Sequence, residues 1–270
     1  MDEARATVAV CARLVGARIR SEWQYRTSFV LFLLSQTLIA GLDFAAIAIL
    51  FTNIETLGGW SVAQVAVLFG INGLAFGLGD ICVSPVETVA RHIKQGTFDG
   101  FLIRPVPVLT HLLASEFELR RMGRLLQPAA VLTIALPMVD IAWRPAAVAV
   151  LVSAVAAGAV IFGALWVLTS CIAFWTVETQ QIGHSVTYGG KMLADYPVDV
   201  LGAWLRRTVI FVVPIAFVAY LPTAWLLDKP LPAGLPRSAG WAAPAVALVL
   251  ALVARLAWNF ALRHYRSTGS

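Results

Sequence analysis

Charged residues are scarce in this chain: Asp, Glu, Lys and Arg make up 13% of its 270 residues, where an ordinary globular domain carries about a quarter. Hydrophobic residues reach 59% and mean hydropathy is +0.80. That balance excludes a soluble core wrapped in a charged shell. Cysteine is scarcer still. Cys11, Cys82 and Cys171 are far apart, odd in number and without metal-ligand spacing. They read as small packing residues and exclude a disulfide framework.

Catalytic patterns are missing too. His92, His111, His184 and His264 are scattered with no HExxH arrangement, and no GxSxG elbow occurs. Gly189-Gly190-Lys191-Met192 comes nearest to a phosphate-binding loop, but Ser185 stands where the leading glycine belongs and Met192 replaces the magnesium-binding hydroxyl. The chain is therefore not expected to hydrolyse ATP or to bind a metal or cofactor itself. The first residues lack a short apolar core followed by a small-residue cleavage site, so a cleaved signal peptide is not expected. The net charge of +5 and pI near 9.4 do not point to nucleic acid. In so apolar a chain, basic loops set membrane orientation.

What the chain has is long apolar runs, each able to cross a hydrocarbon core of about 30 Å. The expected fold is an all-α integral membrane protein, one permease-sized domain over 1–270, with spans at 28–51, 62–83, 117–139, 146–175, 208–227 and 241–262. Residues 3–26 read as an amphipathic interfacial helix. Cys11, Val15, Ile19 and Trp23 form an i+4 stripe, Arg18 intrudes on it, and five arginines suit an anionic leaflet. Gly73 and Gly77 form a GxxxG pair, repeated by Ala75 and Gly79, where another helix can approach closely. The third span needs Arg120, Arg121 and Arg124 to snorkel to the interface. Six spans put both termini on one side. On that layout the inner segments hold sixteen lysines and arginines, and the outer loops hold only Arg144, Lys229 and Arg237. The termini, 84–124 and 176–207 are expected in the cytoplasm. Asp43, Asp80 and Arg255 are the intramembrane charges. Asp80 and Arg255 fall at similar depth, with Asp43 about 10 Å higher, which predicts, if their two helices are neighbours, an Asp80–Arg255 pair that either orders the bundle or serves a substrate path.

The polar island at 84–105 is the most sharply punctuated stretch. Ser84, Pro85 and Glu87 spell a helix start with a capping box, Val86, Val89 and Ile93 form an apolar stripe beside Glu87, Arg91 and Lys94, and Gly96 supplies a left-handed stop. Asp99-Gly100 reads as a turn, and Arg104-Pro105 as an extended step. The spacing predicts a helix over 85–95.

This order resembles the membrane subunits of ABC transporters of the ABC-2 permease family, from a prokaryotic half-transporter branch. The resemblance is sharpest at Gly96-Thr97-Phe98-Asp99-Gly100-Phe101-Leu102-Ile103-Arg104-Pro105. Tyr196-Pro197, Leu205-Arg206-Arg207, Val213-Pro214 and Leu221-Pro222 extend it. It implies an exporter half that pairs with a second copy or a paralogue and is driven by separate ATP-binding subunits, which would hold the ATP and magnesium. The site is the prokaryotic cytoplasmic membrane. It further implies that 85–95 is the coupling helix and 3–24 the connecting helix. Val89 and Ile93 would form the docking stripe, with Glu87, Arg91 and Phe98 contributing contacts and Asp99 and Arg104 holding the loop. The family's outer re-entrant helices lie between the last two spans, where only about 228–240 is free, unless they begin inside 215–227. A largely apolar interior favours an amphiphilic cargo. Two other classes stand beside this one: a proton-coupled secondary carrier using Asp43 and Asp80, and a membrane-embedded lipid-modifying enzyme.

Overall fold

The computed structural model describes residues 2–24, 26–176 and 180–265, and among these it is helical with no β-strand. Helix α1 (Asp2–Gln24) leads into α2 (Arg26–Leu50), and a tight reversal at Leu57–Trp60 opens α3 (Val62–Cys82). Gly58 and Gly59 take φ of +59° and +82°, which the two central positions of such a turn require. Ser61 then caps α3 in a reciprocal capping box with Gln64.

Below α3 the chain makes a 3-10 turn at Ser84–Thr88, then the short helices α4 (Val89–Lys94), α5 (Asp99–Leu102) and α6 (Val108–Ser115). Helix α7 (Gly123–Ala135) returns alongside α3, and α8 (Pro145–Cys171) descends on its other side. Helix α9 (Gln180–Ala194) follows, then α10 (Ala203–Arg207), α11 (Tyr220–Leu226) and α12 (Ala243–His264), which packs along α8. Among the described residues, four segments are long and apolar enough to cross a membrane, Leu33–Leu50, Val62–Cys82, Pro145–Phe174 and Ala243–His264, or five if the bent pair 203–212 and 215–226 is one span.

Helix α3 is the axis of the bundle, and its small residues explain why. A Cβ on Gly73 would lie 2.6 Å from Pro128 Cβ, and one on Gly77 2.6 Å from Leu125 Cδ2, so α7 crosses α3 on that face. Ala75 and Gly79 lie about 200° around the helix from Gly73 and Gly77. There Ala75 meets Gly158 of α8, and Gly79 meets the Ala159 carbonyl and the Phe162 and Trp166 rings. The two interleaved small-residue pairs thus serve two different neighbours. Among lipid tails, which are as apolar as leucine, close packing of this kind holds helices together.

Two stretches differ from the expected layout. The stretch 178–207, expected as a polar loop at the Asp80 end, instead carries α9 the length of α3. Tyr188 packs on Phe76, Asn72 Nδ2 donates to the Lys191 carbonyl and to Asp195, and Asp199 reaches Trp60 at the opposite end. Glu178 lies outside the described residues. The stretch 208–227, expected as the fifth span with Pro214 and Pro222 in it, is bent by 73° between 203–212 and 215–226. Pro214 removes a backbone donor at the bend, and a π-turn at Thr208–Val212 precedes it. Both ends of this hairpin return to the Trp60 end. Arg206 donates to the Asp199 and Leu201 carbonyls, Tyr220 OH donates to Asp199 Oδ2 at 2.8 Å, and Lys229 Nζ donates to the Gly59 carbonyl at 2.7 Å. Its tip reaches inward, where Val218 fills the notch at Gly158 and Ile215 packs on Gly190.

Candidate functional site

The lower end of the bundle, away from Trp60, is built on the polar island. Ser84 does not cap a helix: its hydroxyl donates to the Asp80 carbonyl at 2.7 Å, and the turn that follows is 3-10. The expected helix over 85–95 is therefore a 3-10 turn joined to a short α4. Gly96 takes the left-handed stop at φ +68°. Asp99-Gly100 starts α5 rather than a turn.

The apolar stripe faces inward. Val86 and Val89 are 0% exposed and Ile93 9%, all within the chain's own core. Phe98 is also buried, against Phe174 and Tyr265. Tyr265 OH donates to Asp99 Oδ1 at 3.0 Å, which ties the loop to the end of α12, and Arg104 Nη1 lies 2.9 Å from His111 Nε2. The surface left outside is a different one: Ile103 is 85% exposed and Leu102 43%, flanked by exposed Arg91, Lys94 and Arg104.

Glu116 gathers this region. It accepts from Arg91 Nη2 at 3.1 Å and lies 3.5 Å from His92 Nε2 and 3.6 Å from Arg18 Nη2. Arg18, the residue out of pattern on α1, also donates to the Ser115 carbonyl, and Glu22 accepts the Arg120 backbone N–H at 3.0 Å. The helix α1 is thereby pinned to the segment after α4. Burial holds His92 below the ordinary imidazole value, with Glu116 pulling the other way. Burial pushes the Glu87 carboxyl up, partly offset by His184. Burial would raise Glu118 as well, but the Arg120 and Arg121 guanidiniums outweigh it and hold the carboxyl low.

Just above lies an ion cluster that was not foreseen. Asp80, fully buried, accepts from Arg121 Nη1 at 2.9 Å and from Arg124 Nη1 at 2.7 Å, and Arg121 also donates to Ser84 Oγ. The expected Asp80–Arg255 pair does not form; Arg255 is exposed on α12, on the far side of α8 from this cluster. The arginines that were to snorkel are the reason, since they start α7 close enough to turn inward on the carboxylate. Asp43 lies on α2, and its side chain is outside the described residues, as is the tail beyond Tyr265.

Arg124 also lines a cavity of about 430 Å³ between α2, α3, α7 and α9. One wall is apolar, with Ile39, Ile47, Phe69, Phe76 and Pro128. The other carries Gln127, Tyr188, Lys191 and Asp195. Lys191 pairs with Asp195 at 2.8 Å, while Gln127 Nε2 and Asn72 Oδ1 are buried without a hydrogen-bond partner among the described residues.

A family model described as "ABC-2 family transporter protein" matches residues 37–269. The chain belongs to that family. The match begins inside α2 and leaves α1 outside it. Neither a curated protein nor a solved structure matches. As an ABC-2 family member the chain is the membrane-embedded permease subunit of an ABC transporter, the part that works with ATPase partner subunits. Sequence reasoning missed the Asp80 cluster because three arginines at the head of an apolar run read as interfacial. The signal that could have found it is the spacing of Arg121 and Arg124, which share one helical face.

Proposed function

We propose that this permease is half of an exporter for an amphiphilic substrate, docked on its ATP-binding subunit through the exposed ridge Leu102–Arg104 and the basic residues Arg91 and Lys94. The carrying observation is the exposure of Ile103 on a loop locked from behind by Phe98, Asp99 and Tyr265. A partner pressing there moves a rigid piece. Val89, Ile93 and Phe98 then act as the inner anchor of that piece, and Glu87 as its half-buried support.

On this reading the Asp80 end, where Arg91, Lys94, Arg104, Arg120 and Arg263 gather, faces the cytoplasm, and so do the termini. Crossings are α2, α3, α7, α8, α9 continued through Val200, and α12, with 203–226 dipping in from the outer face of a prokaryotic cytoplasmic membrane. A second permease copy or a paralogue completes the pathway. Force travels from the ridge through Ser84 to Asp80 and Arg121, and from Asp80 through Arg124 to the cavity. The cavity's apolar wall and paired charges match a molecule with a greasy body and a polar head. Asp80 is held by two guanidiniums, which supports an ordering role for it within the bundle.

The test is co-purification of the ATP-binding subunit with tagged permease. Ile103→Asp is expected to cut recovery at least tenfold while helicity and monodispersity persist. Undiminished recovery would overturn the docking assignment. Aspartate at Val89 or Ile93 is the wrong probe, because it would disrupt the core.

A further inference from the structure

A second concave site lies on the flank of the bundle, outside the pathway described above. It is a groove of about 650 Å³ between α6, α8 and α12. Its walls are Leu109 and Leu113 of α6, Val160 and Val167 of α8, and Trp258 and Leu262 of α12. Val83, where α3 ends, lines the same groove, so the groove sits at the depth where the bundle passes from hydrocarbon to interface.

One charge faces this apolar surface. Arg255 lines it, and Asn259 follows at i+4 on the same face of α12, with Thr110 on the α6 side. No acidic residue lines the groove. Among the described residues, the side chains of Arg255, Asn259 and Thr110 make no hydrogen bond or ion pair. A guanidinium beside hydrocarbon is costly unless something anionic meets it. The contrast within this chain is direct, since Arg121 and Arg124 share a buried carboxylate.

We infer that this groove holds an anionic phospholipid of the inner leaflet, its phosphate on Arg255 and Asn259 and an acyl chain along Leu109, Leu113 and Val160. The chemistry fits on both counts: a bidentate guanidinium for phosphate oxygens and a trough without polar walls for the tail. The inference rests on the Asp80 end facing the anionic leaflet, and not on the docking ridge or the substrate cavity.

Native mass spectrometry of the full-length permease, delipidated in detergent and titrated with equimolar phosphatidylglycerol and phosphatidylcholine, tests it. Wild type is expected to retain phosphatidylglycerol at least fivefold over phosphatidylcholine. Arg255→Gln should bring that ratio close to one, and Arg255→Lys should keep part of it. Val160→Trp fills the trough from an exposed position and should lower retention of both lipids. Equal retention of the two lipids by wild type, or an unchanged ratio in Arg255→Gln, overturns the inference. So does a cysteine at Leu109 that cross-links two permease copies through the groove. Recovery of the ATP-binding subunit should be the same in all these variants, so failure here is distinguishable from failure of the docking assignment.

Discussion

Asp80 is a buried carboxylate with two arginines on it, and its removal isolates both of them. Breaking such a group costs about 3–5 kcal/mol, because the remaining charges lose their partner while staying shielded from water. Asp80→Asn should therefore lower the melting temperature in detergent far more than Arg255→Gln, whose side chain is exposed and unpaired. The small residues of α3 allow a finer comparison. A methyl on Gly73 meets the rigid Pro128 ring, whereas one on Gly77 meets the end of the Leu125 side chain, which can turn away. Gly73→Ala should cost about 1–3 kcal/mol, and Gly77→Ala measurably less, in the same melting assay. GxxxG spacing was legible in the sequence because it needs only periodicity. The pairing of Asp80 was not, because choosing between Arg121, Arg124 and Arg255 requires knowing which helices are neighbours.

At the scale of elements, α4 is held by His92 and Arg91 converging on Glu116, with Arg18 reaching in from α1. His92 is kept neutral by burial, with a folded value below the ordinary 6.5. Stability from this group is fully present above 6.5 and is lost as pH falls through the folded value. Glu87, raised by burial, acts in the opposite sense: its contribution is present below 4.5 and declines as pH rises through the folded value. The wild-type permease should thus melt earlier at pH about 5.5 than at pH about 7.5 by an amount that His92→Gln reduces. An unchanged difference in that variant would show that another group controls it. The helix over 85–95 was half legible. Gly96 stopped it where expected, but Ser84 had a better acceptor in the Asp80 carbonyl than in its own turn. The stripe of Val86, Val89 and Ile93 marked a buried face, and a sequence alone cannot say whether such a face meets its own bundle or a partner.

For the whole molecule, the apolar runs announced a membrane bundle, and α2, α3, α8 and α12 fall within a few residues of the expected spans. The differences lie where polarity and packing part company. Helix α9 carries Tyr188, Lys191 and Asp195 through the bundle because Phe76, Asn72 and one another receive them, so it scores as a loop. Residues 208–227 are apolar enough to cross but carry Pro214 and Pro222, and the helix breaks at Pro214 with a 73° bend. If ATP-driven movement passes from the docking ridge through Glu116, then Glu116→Gln should leave the ATP-binding subunit bound yet reduce permease-stimulated ATPase activity severalfold in proteoliposomes. Loss of binding as well would assign Glu116 to docking instead.

The hairpin at 203–226 has an outcome for access from the far side. It is fastened near Trp60 at its two feet by Asp199 and Lys229, while Val218 is wedged at Gly158 deep in the bundle. A stopper tethered on that side can be pulled out only towards it. On the proposed export reading, cargo released outward would lift it, whereas solutes pressing from outside would seat it more firmly, as in a one-way valve. A thiol placed at Ala219 should then be shielded from a membrane-impermeant maleimide at rest and become labelled during turnover.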